Sequence, residues 1–214
     1  MYAIPRLGIP SIKMQDAGQG FRTIDARNVG RVTAWPCLLA VAATWDTQLT
    51  RRFAAALGAE FKAKGANVIL GPSVNVHHVA RNGRNAEYLS GEDPALGAAL
   101  ATAYVQGVQS AGVAATAKHF VLNSQETHRN SESSDVSDRA LWEVYYPPFE
   151  AAVRAGAAAF MCSYNRVNGT HACGDAHILI DHLRDSMGFD GFVMSDWWAI
   201  HDVDAAKNGV DQNL

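Results

Sequence analysis

The amino-acid sequence predicts an α/β fold, an incomplete or collapsed TIM-type (β/α) barrel with mainly parallel strands. Short apolar runs alternate with helical segments along nearly the whole chain of 214 residues, which is typical of a parallel sheet. Polar or charged side chains follow several of these runs directly, at the positions where (β/α) barrels carry their catalytic groups. The five clear strands and one incipient strand are fewer than the eight of a complete barrel.

The predicted strands and helices alternate in chain order. The strands cover residues 11–16, 67–76, 113–120, 157–165 and 191–196, with an incipient strand at 209–214. The helices cover residues 46–65, 94–110, 138–155, 175–187 and 201–207. Pro94 lies near the first turn of the second helix, whereas Pro147 and Pro148 interrupt the third. Residues 82–94 are rich in turn formers and are predicted to form a functional loop.

The composition excludes some classes of partner. The chain has 18 Lys and Arg residues against 21 Asp and Glu residues, and its net charge is -3. Because its basic residues are scattered rather than clustered, we predict no nucleic-acid partner. We predict no membrane partner either, since no apolar run approaches the length of a membrane span. The N-terminus lacks the charged and apolar regions of a signal peptide, so the cellular compartment is left open.

The three cysteines allow two interpretations. Cys162 and Cys173 flank a loop with Asn-Gly turn chemistry, and an oxidising compartment would let them form a loop disulfide. Alternatively, both of them and Cys37 are independent buried thiols. Their spacing fits no zinc pattern, and we predict neither a metal site nor a cofactor.

The most informative segment is the apolar run Gly-Phe-Val-Met-Ser-Asp-Trp-Trp at residues 191–198. It delivers Asp196 and two indoles where a buried strand should end. A carboxylate beside an aromatic platform suits sugar chemistry, because the apolar face of a sugar stacks on an indole. Asp196 is therefore the candidate nucleophile. The alternative is that Asp196 caps a following helix.

Other polar side chains stand at or after the ends of the remaining strands. In a barrel these positions share one face, so we predict a common site. Its candidate members are Asp16, Arg84, Lys118, His119 and Tyr164. Each also has a structural interpretation: a solvated strand end, an ion-pair partner, or a core tyrosine with a satisfied hydroxyl.

These segments resemble the N-terminal barrel domain of glycoside hydrolase family 3, the β-glucosidase and β-xylosidase group. The motifs that carry the resemblance lie at residues 13–22, 42–46, 83–94, 118–120, 161–165 and 191–198. They occur in the family's order and span nearly the whole chain. The resemblance implies that residues 1–214 are one partial family 3 N-terminal domain. It also implies that the C-terminal domain bearing the acid/base residue is absent from this sequence.

The resemblance implies a role for each candidate side chain. Asp196 is the nucleophile, Asp16 binds two sugar hydroxyls, and Tyr164 stands near the nucleophile. The residues expected to contact the sugar besides Asp16 are Arg84, Lys118, His119, Trp197 and, more weakly, Arg129. Carboxylates accept from hydroxyls and cations add charge-assisted hydrogen bonds, so the residue types fit these roles. Neighbouring cations are also expected to favour the ionised form of Asp196.

The implied reaction is retaining hydrolysis of a β-glycosidic bond, which requires a second carboxyl group as acid and base. In the family's β-glucosidases that group is usually a Glu of a following domain, and no Glu here occupies a matching motif. The β-N-acetylglucosaminidase branch uses an Asp-His pair on a loop that this chain lacks. Glu126, His128 and Asp135 are possible substitutes only through their proximity in sequence.

Two functions follow from these observations. The first is a β-glucosidase-like enzyme acting on a small β-glycoside or oligosaccharide, and the second is a non-catalytic sugar-binding fragment without the acid/base group. An incomplete barrel exposes sheet edges and apolar surface, which a second copy could cover. We therefore predict a homo-oligomer.

Overall fold

The computed structural model describes residues 2–23 and 25–214. Its strands are β1 (Met14–Gln15), β2 (Val68–Ile69), β3 (Ala114–Phe120), β4 (Ser133–Ser134), β5 (Ala159–Cys162), β6 (Arg166–Val167), β7 (Thr170–His171) and β8 (Phe192–Ser195). Five strands form one parallel sheet in the order β1-β2-β3-β5-β8. The sheet curls into a half-barrel, which confirms the predicted α/β class with an incomplete barrel. Strands β4, β6 and β7 form a second, small sheet.

The helices lie between the strands of the main sheet. They are α1 (Leu38–Ala42), α2 (Thr47–Ala63), α3 (Pro94–Ser110), α4 (Asp138–Ala140) and α5 (Pro147–Arg154), with π-helical segments at Leu141–Tyr145 and His177–Ser186. Short 3-10 turns occur at Pro5–Leu7, Ala26–Asn28, Asn85–Glu87, Ala172–Gly174 and Val203–Ala206. No helix within the described residues combines the length and apolar character that crossing a membrane requires.

Local signals place the helices α2 and α3. The carboxylate of Asp46 accepts hydrogen bonds from the backbone N–H groups of Gln48 (2.8 Å) and Leu49 (2.9 Å), which caps α2. Asp93 caps α3 in the same way, and Pro94 occupies its first position. Helix α3 therefore has the predicted bounds.

The third predicted helix is interrupted before Pro147, as expected from its two prolines. The fourth is π-helical, and the fifth shortens to the 3-10 turn at Val203–Ala206.

The strands are shorter than predicted, most clearly after β2. Beyond Ile69 the chain reaches Gly71 and Pro72, and a proline cannot donate a hydrogen bond to a ladder. The carbonyl groups of Gly71 and Pro72 still accept hydrogen bonds from Thr116 and Lys118 of β3, and Ser73 forms an isolated bridge with Lys118. The incipient strand at 209–214 is present as an isolated parallel bridge between Met194 of β8 and Gln212.

The packing of α2 against α3 forms a tight helix interface. A Cβ atom on Gly107 would lie 2.5 Å from the backbone oxygen of Arg51, and one on Gly58 would lie 2.9 Å from that of Val108. The two glycines therefore let the helix backbones approach each other closely. Large apolar side chains such as Leu57 and Leu100 are fully buried around them. Both helices also contact the main sheet, α2 at β2 and α3 at β3.

A disulfide joins Cys162 to Cys173, while Cys37 is a free thiol. Of the two interpretations of the cysteines, the loop disulfide is therefore correct. It ties the end of β5 to the turn that follows the β6–β7 hairpin. The loop that it closes contains Tyr164.

Candidate active site

The parallel sheet brings the predicted polar side chains to one edge. Asp16 follows β1, Lys118 and His119 lie near the end of β3, and Asp196 follows β8 directly. The carboxyl ends of parallel strands meet at the same rim of a barrel, so residues distant in sequence become neighbours. The structure brings these side chains together: Lys118 forms an ion pair with Asp16, the Tyr164 hydroxyl donates to Asp196, and His119 Nε2 lies 3.5 Å from Asp196 Oδ2. We call the polar side chains that meet at this edge the rim cluster; its members are Asp16, Arg84, Glu87, Lys118, His119, Glu126, Arg129, Tyr164 and Asp196.

A bulge in β3 allows two consecutive side chains to join the rim cluster. Side chains on a regular strand alternate between its two faces. Here Lys118 pairs with Met161 and Phe120 pairs with Cys162, which leaves His119 without a partner in the ladder. Such an extra residue re-aims a side chain beside an active site. Lys118 and His119 therefore both reach the cluster, while Phe120 packs in the core.

Asp196 is 3% exposed, and its two carboxylate oxygens have different environments. Oδ1 accepts a hydrogen bond from the Tyr164 hydroxyl and another from the backbone N–H of Trp197, both at 2.8 Å. Oδ2 has no hydrogen-bond partner among the described residues, although it lies 3.5 Å from His119 Nε2. The helix-cap interpretation of Asp196 is wrong, because Asp202 caps the next helical turn.

Burial determines the direction in which the pKa of Asp196 shifts. Removal from water raises this pKa, whereas the Tyr164 hydrogen bond and the charge of Lys118 lower it. The net result is a pKa above the ordinary value for an aspartate. The neighbouring cations thus act in the predicted direction, but burial outweighs them.

His119 is buried and neutral, and its partners determine its tautomer. Burial, followed by the charges of Arg84 and Lys118, holds its pKa well below the ordinary value. Arg84 Nη2 lies 3.1 Å from Nε2, and a guanidinium can only donate, so Nε2 accepts. The proton is then on Nδ1, 3.2 Å from the Tyr88 hydroxyl. Because Nε2 carries no proton, His119 cannot donate to Asp196 Oδ2.

Glu87 is a member of the rim cluster that sequence reasoning missed. Its carboxylate accepts two hydrogen bonds from Arg84, at 2.8 Å and 2.9 Å, and lies 3.4 Å from Lys118 Nζ. Burial acts to raise the pKa of Glu87, but the charges of Lys118 and Arg84 and the Arg84 hydrogen bond lower it below its usual range. The available signal was its place three residues after Arg84 in the 83–94 motif. Lys118 Nζ also lies 3.7 Å from Asp16 Oδ1, so it bridges two carboxylates.

The loop after β3 adds Arg129 and Glu126 to the cluster. The Arg129 guanidinium carbon lies 4.0 Å from the centre of the Tyr164 ring, and Nη1 lies 2.6 Å from Glu126 Oε2. Glu126 Oε1 is 3.9 Å from Arg84 Nη1. His128 and Asp135 are exposed, and Asp135 accepts a hydrogen bond from Ser133. Of the three possible substitutes for the acid/base group, only Glu126 belongs to the cluster.

The model of the glycosyl hydrolase family 3 N terminal domain matches residues 3–213. The chain belongs to glycosyl hydrolase family 3. A beta-glucosidase of Rhizobium radiobacter is 50% identical over 215 residues, which cover 99% of this chain and 26% of that protein. Beta-glucosidase BoGH3A of Bacteroides ovatus is 43% identical over 217 residues, which cover 97% of this chain and 29% of that protein.

Solved structures agree with this family assignment. The crystal structure of DesR, a beta-glucosidase from Streptomyces venezuelae in complex with D-glucose, matches with a TM-score of 0.94 and 40% identity. The match covers 99% of this chain and 26% of that chain. This family 3 chain thus spans about a quarter of the length of these relatives.

The rim cluster of this family 3 chain borders a polar cavity of about 310 Å³. The charged residues that line it are Asp16, Arg22, Arg84, Glu87 and Lys118. Convergent donors and acceptors of this kind suit a ligand rich in hydroxyl groups. A larger cavity of about 490 Å³ lies between residues 200 and 213, at the open side of β8. The smaller cavity is the better candidate for the sugar site, because Asp16, Arg84, Glu87 and Lys118 of the cluster line it. Asp196 is not among the lining residues but lies beside this group, 3.5 Å from His119.

The two indoles that follow Asp196 differ in exposure. Trp197 is 36% exposed, and Trp198 is 81% exposed. The backbone N–H of Trp197 already contacts the candidate nucleophile, so this residue lies at the rim cluster. No group of three or more His, Cys, Asp or Glu side chains in the described ranges, 2–23 and 25–214, could hold a metal ion.

Proposed function

We propose that this chain carries the nucleophile and the sugar-binding groups of a retaining β-glucosidase. The observation that supports this proposal is the environment of Asp196. Two donors, from Tyr164 and Trp197, hold one carboxylate oxygen of Asp196, and the other oxygen has no hydrogen-bond partner among the described residues. A buried carboxylate that is oriented in this way is suited to attack the anomeric carbon of a sugar bound beside it.

The reaction would proceed by two displacements at the anomeric carbon. Asp196 Oδ2 would form a bond to this carbon while the bond to the leaving oxygen breaks, which produces a glycosyl ester and an alkoxide or aryloxide that takes a proton from solvent. Water would then attack the same carbon, lose a proton to solvent and release the carboxylate, with overall retention of configuration. The positive charge that develops on the sugar in each transition state would favour the ionised form of Asp196, against the effect of burial.

The other groups of the cluster would orient the sugar. Asp16 would accept hydrogen bonds from two hydroxyls, and Arg84, Lys118 and Arg129 would donate charge-assisted hydrogen bonds. His119 would contact the same ring, and Trp197 would offer an apolar surface for stacking. Glucose is the proposed sugar, because the relatives are named as beta-glucosidases and one solved relative holds D-glucose.

A second candidate function is sugar binding without hydrolysis. Asp16, Glu87 and Glu126 each lie within 4.0 Å of a cationic side chain, and Lys118 and Arg84 hold the pKa of Glu87 below its usual range. A paired carboxylate is a poor proton donor to a leaving group. The acid/base group would then be absent from this chain, which spans only part of its relatives.

An aryl glucoside with a good leaving group distinguishes the two functions, because 2,4-dinitrophenolate departs without a proton donor. We expect the wild-type chain to release dinitrophenolate and Asp196→Asn to lose this activity. Asp190→Asn, which changes an exposed aspartate, is the matched control and should retain it. Glucose binding by calorimetry without turnover would support the second function, and neither binding nor turnover would contradict both.

A covalent trap tests the identity of the nucleophile. The 2-fluorine atom of 2,4-dinitrophenyl 2-deoxy-2-fluoro-β-D-glucoside destabilises both transition states, while the good leaving group still allows the first displacement. We expect the glycosyl ester to accumulate on the peptide that contains Asp196, as detected by mass spectrometry. Labelling of another carboxylate would contradict the assignment.

A further inference from the structure

Two series of side-chain contacts lead from Glu126 to the candidate nucleophile, Asp196. We propose that Glu126 is a positioning residue for Asp196. The proposal rests on the proposed function, since it assigns a second group to the same reaction. Glu126 contacts Arg129 through one carboxylate oxygen and approaches Arg84 with the other. Each arginine in turn contacts a side chain that faces one oxygen of Asp196.

The first series of contacts runs through Tyr164. Glu126 Oε2 lies 2.6 Å from Arg129 Nη1, and the Arg129 guanidinium lies over the Tyr164 ring at 4.0 Å. The Tyr164 hydroxyl donates to Asp196 Oδ1 at 2.8 Å. A guanidinium that lies over an aromatic ring at this distance restricts the position of that ring. Glu126 therefore holds the donor that orients Asp196.

The second series of contacts runs through His119. Glu126 Oε1 is 3.9 Å from Arg84 Nη1, Arg84 Nη2 is 3.1 Å from His119 Nε2, and this nitrogen is 3.5 Å from Asp196 Oδ2. Arg84 is also held by two hydrogen bonds to Glu87. Arg129, in contrast, has Glu126 as its ion-pair partner. Loss of Glu126 should therefore act mainly through Arg129 and Tyr164.

The contacts of Glu126 do not favour a role as the missing proton donor. Oε2 faces Arg129, and Oε1 accepts a hydrogen bond from Asn123 Nδ2 at 3.2 Å. Both oxygens therefore already face donors. The Glu126 side chain is 29% exposed, and a glutamine keeps its shape and one acceptor oxygen. A glutamine at this position should fold normally and disturb the orientation of Asp196.

Steady-state kinetics of Glu126→Gln test the proposal. We expect kcat to fall by about 10- to 100-fold, with a smaller change in KM. The loss should be similar for dinitrophenyl and for less activated phenyl glucosides, because the nucleophile acts on both. Glu143→Gln removes a matched surface ion pair with Arg139 and should leave the kinetics unchanged. A wild-type kcat in Glu126→Gln would overturn the proposal.

The pH profile separates positioning from a simple change of charge. The Tyr164 hydrogen bond lowers the pKa of Asp196, so its weakening should move the acidic limb of kcat/KM to higher pH. A limb that moves to lower pH would show a direct charge effect and contradict positioning. A loss confined to poor leaving groups and rescued by azide would make Glu126 the acid/base residue, which also contradicts the proposal.

A direct titration of the Asp196 carboxyl group tests the positioning role of Glu126 without any measurement of turnover. The carboxyl resonance of Asp196, assigned with Asp196→Asn, can be followed by ¹³C NMR in the wild type and in Glu126→Gln. An upward shift of the pKa supports positioning even when no glucoside is hydrolysed. An inactive wild-type chain with this shift would contradict only the proposed function, and an unshifted pKa in an active chain would contradict only the positioning role.

Discussion

The α2–α3 interface and the rim cluster hold the same half-barrel by different means. At the helix interface, Gly58 and Gly107 let the backbones approach closely, and apolar side chains fill the remaining space. At the rim, Lys118, His119 and Asp196 are nearly as well buried, although each carries a polar group. At the α2–α3 interface the burial of apolar side chains stabilises the folded state, and no charged group opposes it. The rim cluster includes a group whose charged form burial opposes.

Burial stabilises the α2–α3 interface, whereas at the rim cluster it shifts the pKa of a candidate catalytic group. Burying apolar surface contributes about 25 cal/mol per Å². Burying the ionised Asp196 opposes folding, as its raised pKa shows. A carboxylate that is oriented but poorly solvated is more useful for catalysis than for stability. Substitutions in the two regions should therefore separate activity from stability.

The largest expected effect is that of Asp196→Asn. We expect at least about a 1,000-fold loss of glucoside hydrolysis, because the nucleophile is removed. At neutral pH the variant should be more stable than the wild type in urea unfolding. The folded-state pKa of Asp196 is raised, so the stability that this group contributes is present below its unfolded value of 3.8 and is lost as the pH rises through the folded value. A less stable variant at neutral pH would contradict the comparison.

Removal of the Cys162–Cys173 disulfide should have the next largest effect. The two cysteines are 11 positions apart in sequence, and opening a loop of this size costs roughly 2 to 3 kcal/mol. We expect Cys162→Ala/Cys173→Ala to unfold at a lower temperature in calorimetry. Cys37→Ser, which changes the free thiol, is the control. An unchanged unfolding temperature would show that the loop around Tyr164 is held by other contacts.

Gly107→Ala tests the helix interface. The new Cβ would lie 2.5 Å from a backbone oxygen of α2, so the helices must separate, at a cost of about 1 to 3 kcal/mol. Urea unfolding should show this loss, while the folded variant keeps its kcat. Gly174→Ala, where a Cβ meets nothing within 4 Å, should be nearly neutral. A Gly107→Ala variant that loses activity without losing stability would contradict the prediction that this interface affects stability alone.

The smallest expected effect is the pH dependence due to His119. Its pKa in the folded chain is far below the unfolded value of 6.5, so its stabilising contribution is fully present above pH 6.5 and is lost as the pH falls. Wild-type stability should therefore fall more steeply than that of His119→Gln below this pH, because only the wild type loses the contribution of the neutral imidazole. The exposed His128→Gln variant should follow the wild type, and parallel curves for all three would contradict a neutral, buried His119.

Some features of individual residues were predictable from the sequence, and others were not. Asp46 and Pro94 act on the nearest backbone, so the starts of α2 and α3 were predictable from local chemistry. Glu87 was missed because local pattern does not show which polar side chain of an irregular loop turns inward. The net pKa of Asp196 was likewise out of reach, since it depends on burial by distant strands. The homo-oligomer and the absence of nucleic-acid and membrane partners stay predictions.

The sequence by itself determined the alternation of strands and helices, the family, and the residues at the strand ends. These features follow from hydrophobic pattern, capping and turn chemistry, and from motifs that are continuous in the chain. Only the tertiary structure decided that His119 shares a face with Lys118, that Cys162 pairs with Cys173, and that Glu126 reaches two arginines. Those outcomes depend on a bulge, on loop paths and on distances between segments far apart in sequence, which no local pattern encodes.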